Sequence, residues 1–102
     1  MPRKAILLNA KDNVATALTD IKQGETIQVD IDGRVVETVL LEDVSMGHKY
    51  ALTDLKEGDD IIKYGMFIAR ATRDIKAGEW VHVHNARSPR WGFHNEKYGL
   101  KA

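Results

Sequence analysis

Residues 51–61 read Ala-Leu-Thr-Asp-Leu-Lys-Glu-Gly-Asp-Asp-Ile, and this stretch decides the fold because it occurs three times. The other copies are residues 17–27, Ala-Leu-Thr-Asp-Ile-Lys-Gln-Gly-Glu-Thr-Ile, and residues 71–81, Ala-Thr-Arg-Asp-Ile-Lys-Ala-Gly-Glu-Trp-Val. Their spacings of 34 and 20 residues are too unequal for a solenoid, in which one unit recurs at a fixed period. We therefore interpret the unit as a tight connection between two short strands, used three times in one fold.

Each position of the repeat has a physical role in such a connection. The Asp side chain can bond the backbone of a turn, the Ile or Leu after it can enter a shared core, and the Gly can adopt a positive φ. Apolar residues alternate after the glycine, as in Ile27, Val29 and Ile31. Alternation with a period of two predicts half-buried strands.

Turn signals elsewhere complete an all-β pattern. The dipeptide Asp-Gly at residues 32–33 precedes a β-branched run and is a strong hairpin signal. Tyr-Gly at residues 64–65 separates two apolar pairs and also indicates a bend between strands. Helical signals are weak and fall on residues 13–18 and residues 42–46. The sequence therefore predicts an all-β domain of short, strongly bent strands with a minor helical component.

The composition limits the classes of function. The chain has 102 residues, 15 Lys plus Arg, 15 Asp plus Glu and no Cys. One domain of this size has little interior for a deep active site, so catalysis at an edge or with a partner is expected. Zero net charge argues against a nucleic-acid or membrane partner, and the lack of Cys excludes disulfides and thiolate metal sites. No apolar run approaches a signal peptide or a spanning helix, so we expect a cytoplasmic protein.

Charge divides the chain into two segments. Residues 1–85 carry 11 basic and 14 acidic side chains, whereas residues 86–102 carry four basic side chains and one acidic side chain. The second segment also contains Trp91 and Phe93 near Arg90. Interleaved aromatic and basic residues can bind single-stranded nucleic acid, but in a short tail of a neutral chain they favour packing or subunit docking. We expect a β domain over residues 1–85 and a partner-docking arm over residues 86–102.

The most suggestive polar cluster contains His82 and His84. If residues 80–84 are one strand, side chains two positions apart share a face. Both imidazoles then point one way with Trp80, while Val83 points inward. Two imidazoles about 7 Å apart along a strand can contribute to a metal site or to proton transfer. The alternative is that both lie on the solvent face of an ordinary strand.

Two further motifs carry reactive side chains. His48 follows a glycine and precedes Lys49, so the imidazole can approach a ligand closely while the amine holds a carboxylate. The alternative is a polar turn. Lys63 can contact an anion, whereas the neighbouring Tyr64 is also compatible with a place in the core.

Three motifs, taken in order, resemble a known family. They are Gly47-His48-Lys49, Ile62-Lys63-Tyr64-Gly65 and Val81-His82-Val83-His84-Asn85. Together they closely resemble the N-terminal SAF-type domain of altronate/galactarate dehydratases, which is related to the small subunit of sulfolactate sulfo-lyase. The resemblance is most specific over residues 47–85. The SAF domain is a β-clip fold, which agrees with the short bent strands predicted above.

The resemblance implies a lyase that removes water from a sugar acid to leave a 2-keto-3-deoxy acid. Such a reaction takes a proton from the carbon beside the carboxylate, and a divalent metal typically stabilises the enediolate. The resemblance implies proton transfer or metal contact for His48, His82 and His84. It also implies substrate binding by Lys49, Lys63, Tyr64 and Asn85. His82 and His84 are the expected metal ligands on this chain, with iron or another divalent ion held mainly by a large subunit.

The resemblance also implies a partner. A fused dehydratase continues into a catalytic domain, whereas this chain stops at Ala102, so a separate large catalytic subunit is expected. A small sugar acid is the expected substrate, and homo-oligomerisation stays open. Two other functions stay open as well: the small subunit of a sulfolactate sulfo-lyase, and a stand-alone module that binds a carbohydrate or sugar acid.

Overall fold

The computed structural model describes residues 3–88, which form nine short β-strands and no helix. The strands are β1 (Ala5–Ile6), β2 (Val14–Ala17), β3 (Thr26–Ile31), β4 (Arg34–Val39), β5 (Lys49–Ala51), β6 (Asp60–Lys63), β7 (Met66–Ala71), β8 (Trp80–Val81) and β9 (Ala86–Arg87). They form a four-stranded sheet in the order β1-β2-β5-β8, a β3-β4 hairpin and a three-stranded sheet in the order β6-β7-β9. Every pairing is antiparallel, and the expected all-β class is confirmed. None of the described residues belongs to a helix that is long and apolar enough to span a membrane.

The expected minor helical component is wrong for both segments. Residues 13–18 contain strand β2, and residues 42–46 belong to a turn. Strand β2 pairs with β1 on one side and β5 on the other, so its backbone bonds run to neighbouring strands. Asp12, which precedes this segment, is 1% exposed and does not cap a helix. Its carboxylate instead accepts N–H bonds from Tyr64 and Gly65, at 3.0 and 2.8 Å.

The glycine turn of the repeat occurs four times in the described part of the chain, once more than the sequence pattern indicated. The additional copy is residues 43–48, Asp-Val-Ser-Met-Gly-His, in which Gly47 has a φ of 86°. The glycines of the other copies have closely similar values: Gly24 91°, Gly58 93° and Gly78 93°. The fourth copy escaped the pattern because Ser45 stands in place of Lys and His48 in place of Glu or Asp.

These turns associate as two reciprocal pairs. In the first pair Ile21 and Val44 exchange both backbone N–H bonds, each 2.8 Å long. In the second pair Leu55 and Ile75 do the same, at 2.7 and 2.9 Å. The Asp of each turn also accepts a 2.9 Å bond from a backbone N–H of its partner turn: Gln23 to Asp43, Met46 to Asp20, Glu57 to Asp74 and Ala77 to Asp54. Because the carboxylate of one turn holds the other, the two turns of a pair depend on each other.

Two apolar cores accompany the turn pairs. The first core contains Ile21, and the second contains Leu55 and Ile75. Strand β5 contributes to both, because Tyr50 belongs to the first core and Ala51 to the second. Full burial of one Ile or Leu side chain stabilises a fold by about 1.5–3 kcal/mol. The same aliphatic position of the repeat therefore supplies both the pairing of the turns and their anchorage in the cores.

Two hairpins have the turns that the sequence indicated. Asp32 and Gly33, between β3 and β4, have φ values of 48° and 82°. Tyr64 and Gly65, between β6 and β7, have φ values of 58° and 72°. Positive φ at both central residues is the property of the type I′ turn that joins twisted strands. The buried carboxylate described above fixes the second hairpin, and with it the position of Lys63 at the end of β6.

The β-sheet structure extends into the C-terminal segment. Strand β9 pairs with β7, with Ala86 opposite Ala71 and Arg87 opposite Arg70. The remainder of the expected docking arm, with Trp91, lies outside the described residues.

Gly78→Ala and Gly58→Ala form a matched pair, because both glycines have a φ of 93°. Alanine is strained at either position, at a cost of about 1–2 kcal/mol. A Cβ at Gly58 meets no atom within 4 Å, whereas a Cβ at Gly78 lies 2.1 Å from the carbonyl oxygen of Val39. We expect Gly78→Ala to lower the free energy of unfolding clearly more than Gly58→Ala in urea denaturation. Equal losses would contradict the close packing of this turn against the end of β4.

Candidate functional site

The histidine motifs meet at one end of the four-stranded sheet. Strands β5 and β8 are antiparallel neighbours, with Lys49 opposite Val81. One step further along this register, His48 faces His82, and the centroids of their rings are 5.1 Å apart. The pairing of two strands thus joins motifs that lie far apart in the sequence.

Four rings form a single group, which we call the imidazole cluster: His48, Trp80, His82 and His84. Trp80 contacts all three imidazoles. Its ring is stacked on that of His82, with centroids 5.1 Å apart and planes inclined by 13°. The centroids of His84 and His48 lie 4.9 and 5.6 Å from that of Trp80. The indole of Trp80 is therefore the ring that the three imidazoles have in common as a neighbour.

Trp80 also holds His48 by a hydrogen bond. The indole Nε1–H donates to His48 Nδ1 over 3.1 Å. An indole N–H is a donor and never an acceptor, so Nδ1 must offer its lone pair. The half-buried imidazole of His48 is thereby tied to the first residue of β8.

The strand expected over residues 80–84 ends early. Strand β8 stops at Val81, and the following residues form a turn. Val83, expected to point inward, is 81% exposed. The prediction for Val83 is wrong because strand alternation stops where the turn begins.

Asn85 explains the turn. Its side chain is fully buried; it accepts the His82 N–H at 2.9 Å and donates to the Trp80 carbonyl at 2.8 Å. A side-chain amide thus bonds the backbone on both sides of Val81 and closes the turn that follows β8. The amide expected from the resemblance to bind substrate is thus buried and holds the backbone of His82 close to that of Trp80.

Two lysines bring positive charge to the same region. Lys49 is half-buried, and its pKa is lowered by burial and then by the charge of Lys63. The amine of Lys63 lies 5.9 Å from the ring centroid of Tyr64, which is 61% exposed. The structure therefore brings Lys63 within electrostatic reach of Lys49 and places Tyr64 on the hairpin next to it.

The environment of His82 favours its neutral form. Its pKa lies below the usual 6.5 because of burial first, and then because of His48, Lys49 and His84. Positive neighbours oppose a further positive charge but attract anions. A neutral imidazole beside an amine is a suitable pair for a substrate that carries both a carboxylate and a transferable proton.

The donors do not make up a complete metal shell. Among residues 3–88, no group of three or more His, Cys, Asp or Glu side chains has a metal-binding arrangement. His82 and His84 therefore have no third donor from this part of the chain, and His48 Nδ1 is occupied by Trp80. Because protein metal sites usually have three or four ligands, we assign no chemical step to a metal held by this chain alone.

Sequence reasoning gave no role to two residues that organise the site. Trp80 was placed on the histidine face, but nothing in the sequence indicated its bond to His48, which lies 32 residues earlier. Asp12 supports the hairpin that carries Lys63, because its carboxylate accepts backbone N–H bonds from residues that lie 52 and 53 positions later in the sequence. The available signal for the fourth turn was the spacing of Asp43 and Gly47, which repeats the spacing in the other copies.

Comparison with known proteins places these residues in a family context. The family model described as "Altronate/galactarate dehydratase SAF domain" matches residues 3–89. The chain is 47% identical over 83 residues to altronate dehydratase of Escherichia coli (strain K12), across 81% of this chain and 16% of that protein. It is 33% identical over 78 residues to galactarate dehydratase (L-threo-forming) of the same strain, across 74% of this chain and 14% of that protein.

A shorter relative matches as well. The chain is 45% identical over 49 residues to (2R)-sulfolactate sulfo-lyase subunit alpha of Paracoccus pantotrophus, across 48% of this chain and 73% of that protein. The chain thus spans a small part of the dehydratases but most of the sulfo-lyase subunit.

We expect His82 to titrate below pH 6.5 in a histidine NMR titration of the chain. Lys49→Met should raise this pKa because it removes one of the positive neighbours while keeping the length of the side chain. Lys56→Met, on a different turn, is the matched control and should leave the pKa unchanged. A wild-type value at or above 6.5 would contradict the electrostatic description of the site.

The same shift has a consequence for stability. Because the pKa of His82 is lower in the folded state than in the unfolded state, its contribution to stability is complete above about pH 6.5 and is lost as the pH falls towards the folded-state pKa. We expect His82→Asn to flatten the pH dependence of the free energy of unfolding below pH 6.5. An unchanged slope would contradict this linkage.

Proposed function

The chain belongs to the altronate/galactarate dehydratase SAF domain family, and we propose that it is the small subunit of a two-component, cytoplasmic sugar-acid dehydratase. The observation that carries this proposal is the juxtaposition of His48 and His82, with ring centroids 5.1 Å apart, beside the half-buried Lys49. In this proposal the chain helps to bind the substrate and completes an active site whose other part belongs to a large subunit.

The proposed reaction divides among groups of known chemistry. Lys49 and Lys63 bind the carboxylate of the sugar acid, and Tyr64 on the adjacent hairpin bonds a hydroxyl. An imidazole takes the proton from the carbon beside the carboxylate, and a second proton donor lets the β-hydroxyl leave as water. The resulting enol becomes the 2-keto-3-deoxy acid. The lowered pKa of His82, caused first by burial and then by its positive neighbours, supports this residue as the base because both causes favour the neutral imidazole.

A partner is part of the proposal for two reasons. The imidazole cluster lies at the end of a small sheet, where His84 is exposed, and a substrate held there would need a second wall. The Paracoccus pantotrophus relative, most of whose length this chain matches, is itself named as a subunit. We assign the divalent metal expected for this chemistry to the large subunit, since residues 3–88 offer no group of three ligands.

Reconstitution tests this function. Dehydration of altronate and galactarate is measured with the large subunit, with this chain, and with both together. We expect that only the mixture of both subunits reaches full activity. In this mixture His82→Asn should lower kcat by about 10²-fold or more, and Lys49→Met should raise KM. Lys56→Met is the matched control for the second variant. Full activity of the large subunit by itself would refute the catalytic contribution of this chain.

A second function is favoured by one specific observation, the match to 73% of a sulfolactate sulfo-lyase subunit. Loss of sulfite from sulfolactate also begins from a carboxylate with a leaving group on the β-carbon. Assays of the same mixture for sulfite release decide between the two leaving groups. If the chain by itself binds a sugar acid tightly in calorimetry and adds nothing to the large subunit, it is a stand-alone binding module.

A further inference from the structure

The four glycine turns provide an internal comparison for His48. In the other three turns the residue after the glycine is acidic, and its carboxylate accepts the backbone N–H of the lysine three residues earlier. These bonds run from Lys22 to Glu25, from Lys56 to Asp59 and from Lys76 to Glu79, at 2.8, 2.9 and 3.0 Å. The same position thus has a structural task in three turns out of four.

The fourth turn has the imidazole of His48 at this position, and its side-chain hydrogen bond is to Trp80 and not to the backbone of its own turn. The backbone of His48 keeps the turn geometry, because its N–H bonds the Ser45 carbonyl at 3.0 Å, as the acidic residues do in their turns. The side chain leaves the turn and accepts the Trp80 N–H through Nδ1. Where the other turns have a stabilising carboxylate, this turn therefore has a ring that contacts those of Trp80 and His82.

The direction of the Trp80 bond determines which ring nitrogen carries the proton. Trp80 can only donate, so Nδ1 must be unprotonated for the 3.1 Å contact to be a hydrogen bond. In a neutral imidazole the remaining proton is then on Nε2, on the side of the ring away from the indole. A proton on Nδ1 would place two N–H donors head to head.

We infer that Trp80 is a positioning residue that fixes His48 as the Nε2–H tautomer, so that His48 acts as a hydrogen-bond donor to a substrate oxygen and not as the proton-abstracting base. This inference rests on the proposed function for the identity of the substrate, but not for the tautomer. It separates the roles of the two facing imidazoles: His48 donates to the carboxylate or the departing hydroxyl, and His82 accepts the proton from carbon. The two imidazoles thus have different roles because they have different hydrogen-bond partners. In other active sites, too, a neutral histidine donates a hydrogen bond to a substrate oxygen while another group takes the proton.

NMR of the ¹⁵N-labelled full chain tests the tautomer directly. We expect the Nδ1 and Nε2 shifts of His48 to show the Nε2–H form, with a scalar coupling between Trp80 Nε1 and His48 Nδ1 across the hydrogen bond. Trp80→Phe keeps an aromatic ring against His82 but removes the N–H, so it should abolish the coupling and allow the Nδ1–H form to appear. Lys56→Met, on a different turn, should leave the His48 shifts unchanged. The wild-type spectrum decides the tautomer even if Trp80→Phe does not fold.

Kinetics of the assembled enzyme separate positioning from simple support of the fold. Trp80→Phe should lower kcat by up to about 10²-fold with a smaller change in KM, since a misdirected donor acts chiefly in the transition state. A wild-type His48 in the Nδ1–H form, or a Trp80→Phe variant with unchanged tautomer and kcat, would overturn the inference. If the tautomer is as expected but the mixture dehydrates no sugar acid, the proposed function fails and the assignment of His48 as a donor stands.

Discussion

The structure depends on the bonds between aspartates of one turn and backbone N–H groups of another. In the described chain, each of the four turns is bound to its partner turn by such a bond of 2.9 Å. The two turns of each pair also exchange two backbone N–H bonds. Charge-assisted hydrogen bonds of this kind are roughly twice as strong as neutral ones. They set where the strands that follow can begin, and β5 and β8 both begin directly after a turn.

The candidate site follows from that arrangement. Strand β5 begins directly after the turn that ends at His48, and strand β8 begins directly after the turn that ends at Glu79. The register of these two strands then brings His48 opposite His82, where Trp80 joins their rings. A small domain with little interior can in this way assemble reactive groups on a sheet end, because the supporting bonds lie in the turns behind it.

Much of the fold was accessible from the sequence. The repeat, the alternation and the two hairpin dipeptides are local signals, and all of them correspond to observed turns or strands. The errors arose where distant partners override local preference. Residues 13–18 form a strand because β1 and β5 flank them, and strand β8 ends at Val81 because the buried amide of Asn85 bonds the backbone around it.

The site was accessible in part. The motifs indicated which histidines and lysines belong together, since their types and order resemble a family. The sequence did not indicate the bond between Trp80 and His48, because this bond depends on the strand register and on a turn that has His48 where the other turns have an acidic residue. The spacing of Asp43 and Gly47 was visible in the sequence, but only the positive φ of Gly47 shows that this segment is a fourth copy of the turn.

The central claim is that the fourth turn carries a functional imidazole at the position where the other three turns carry a structural carboxylate. His48→Glu tests it most directly, since it restores the residue type of the other turns. In urea denaturation the variant should be as stable as the wild type or more stable, by about 1 kcal/mol, while the assembled enzyme loses about 10²-fold or more of its kcat. A variant that is clearly destabilised, or one that keeps full activity, would contradict the account.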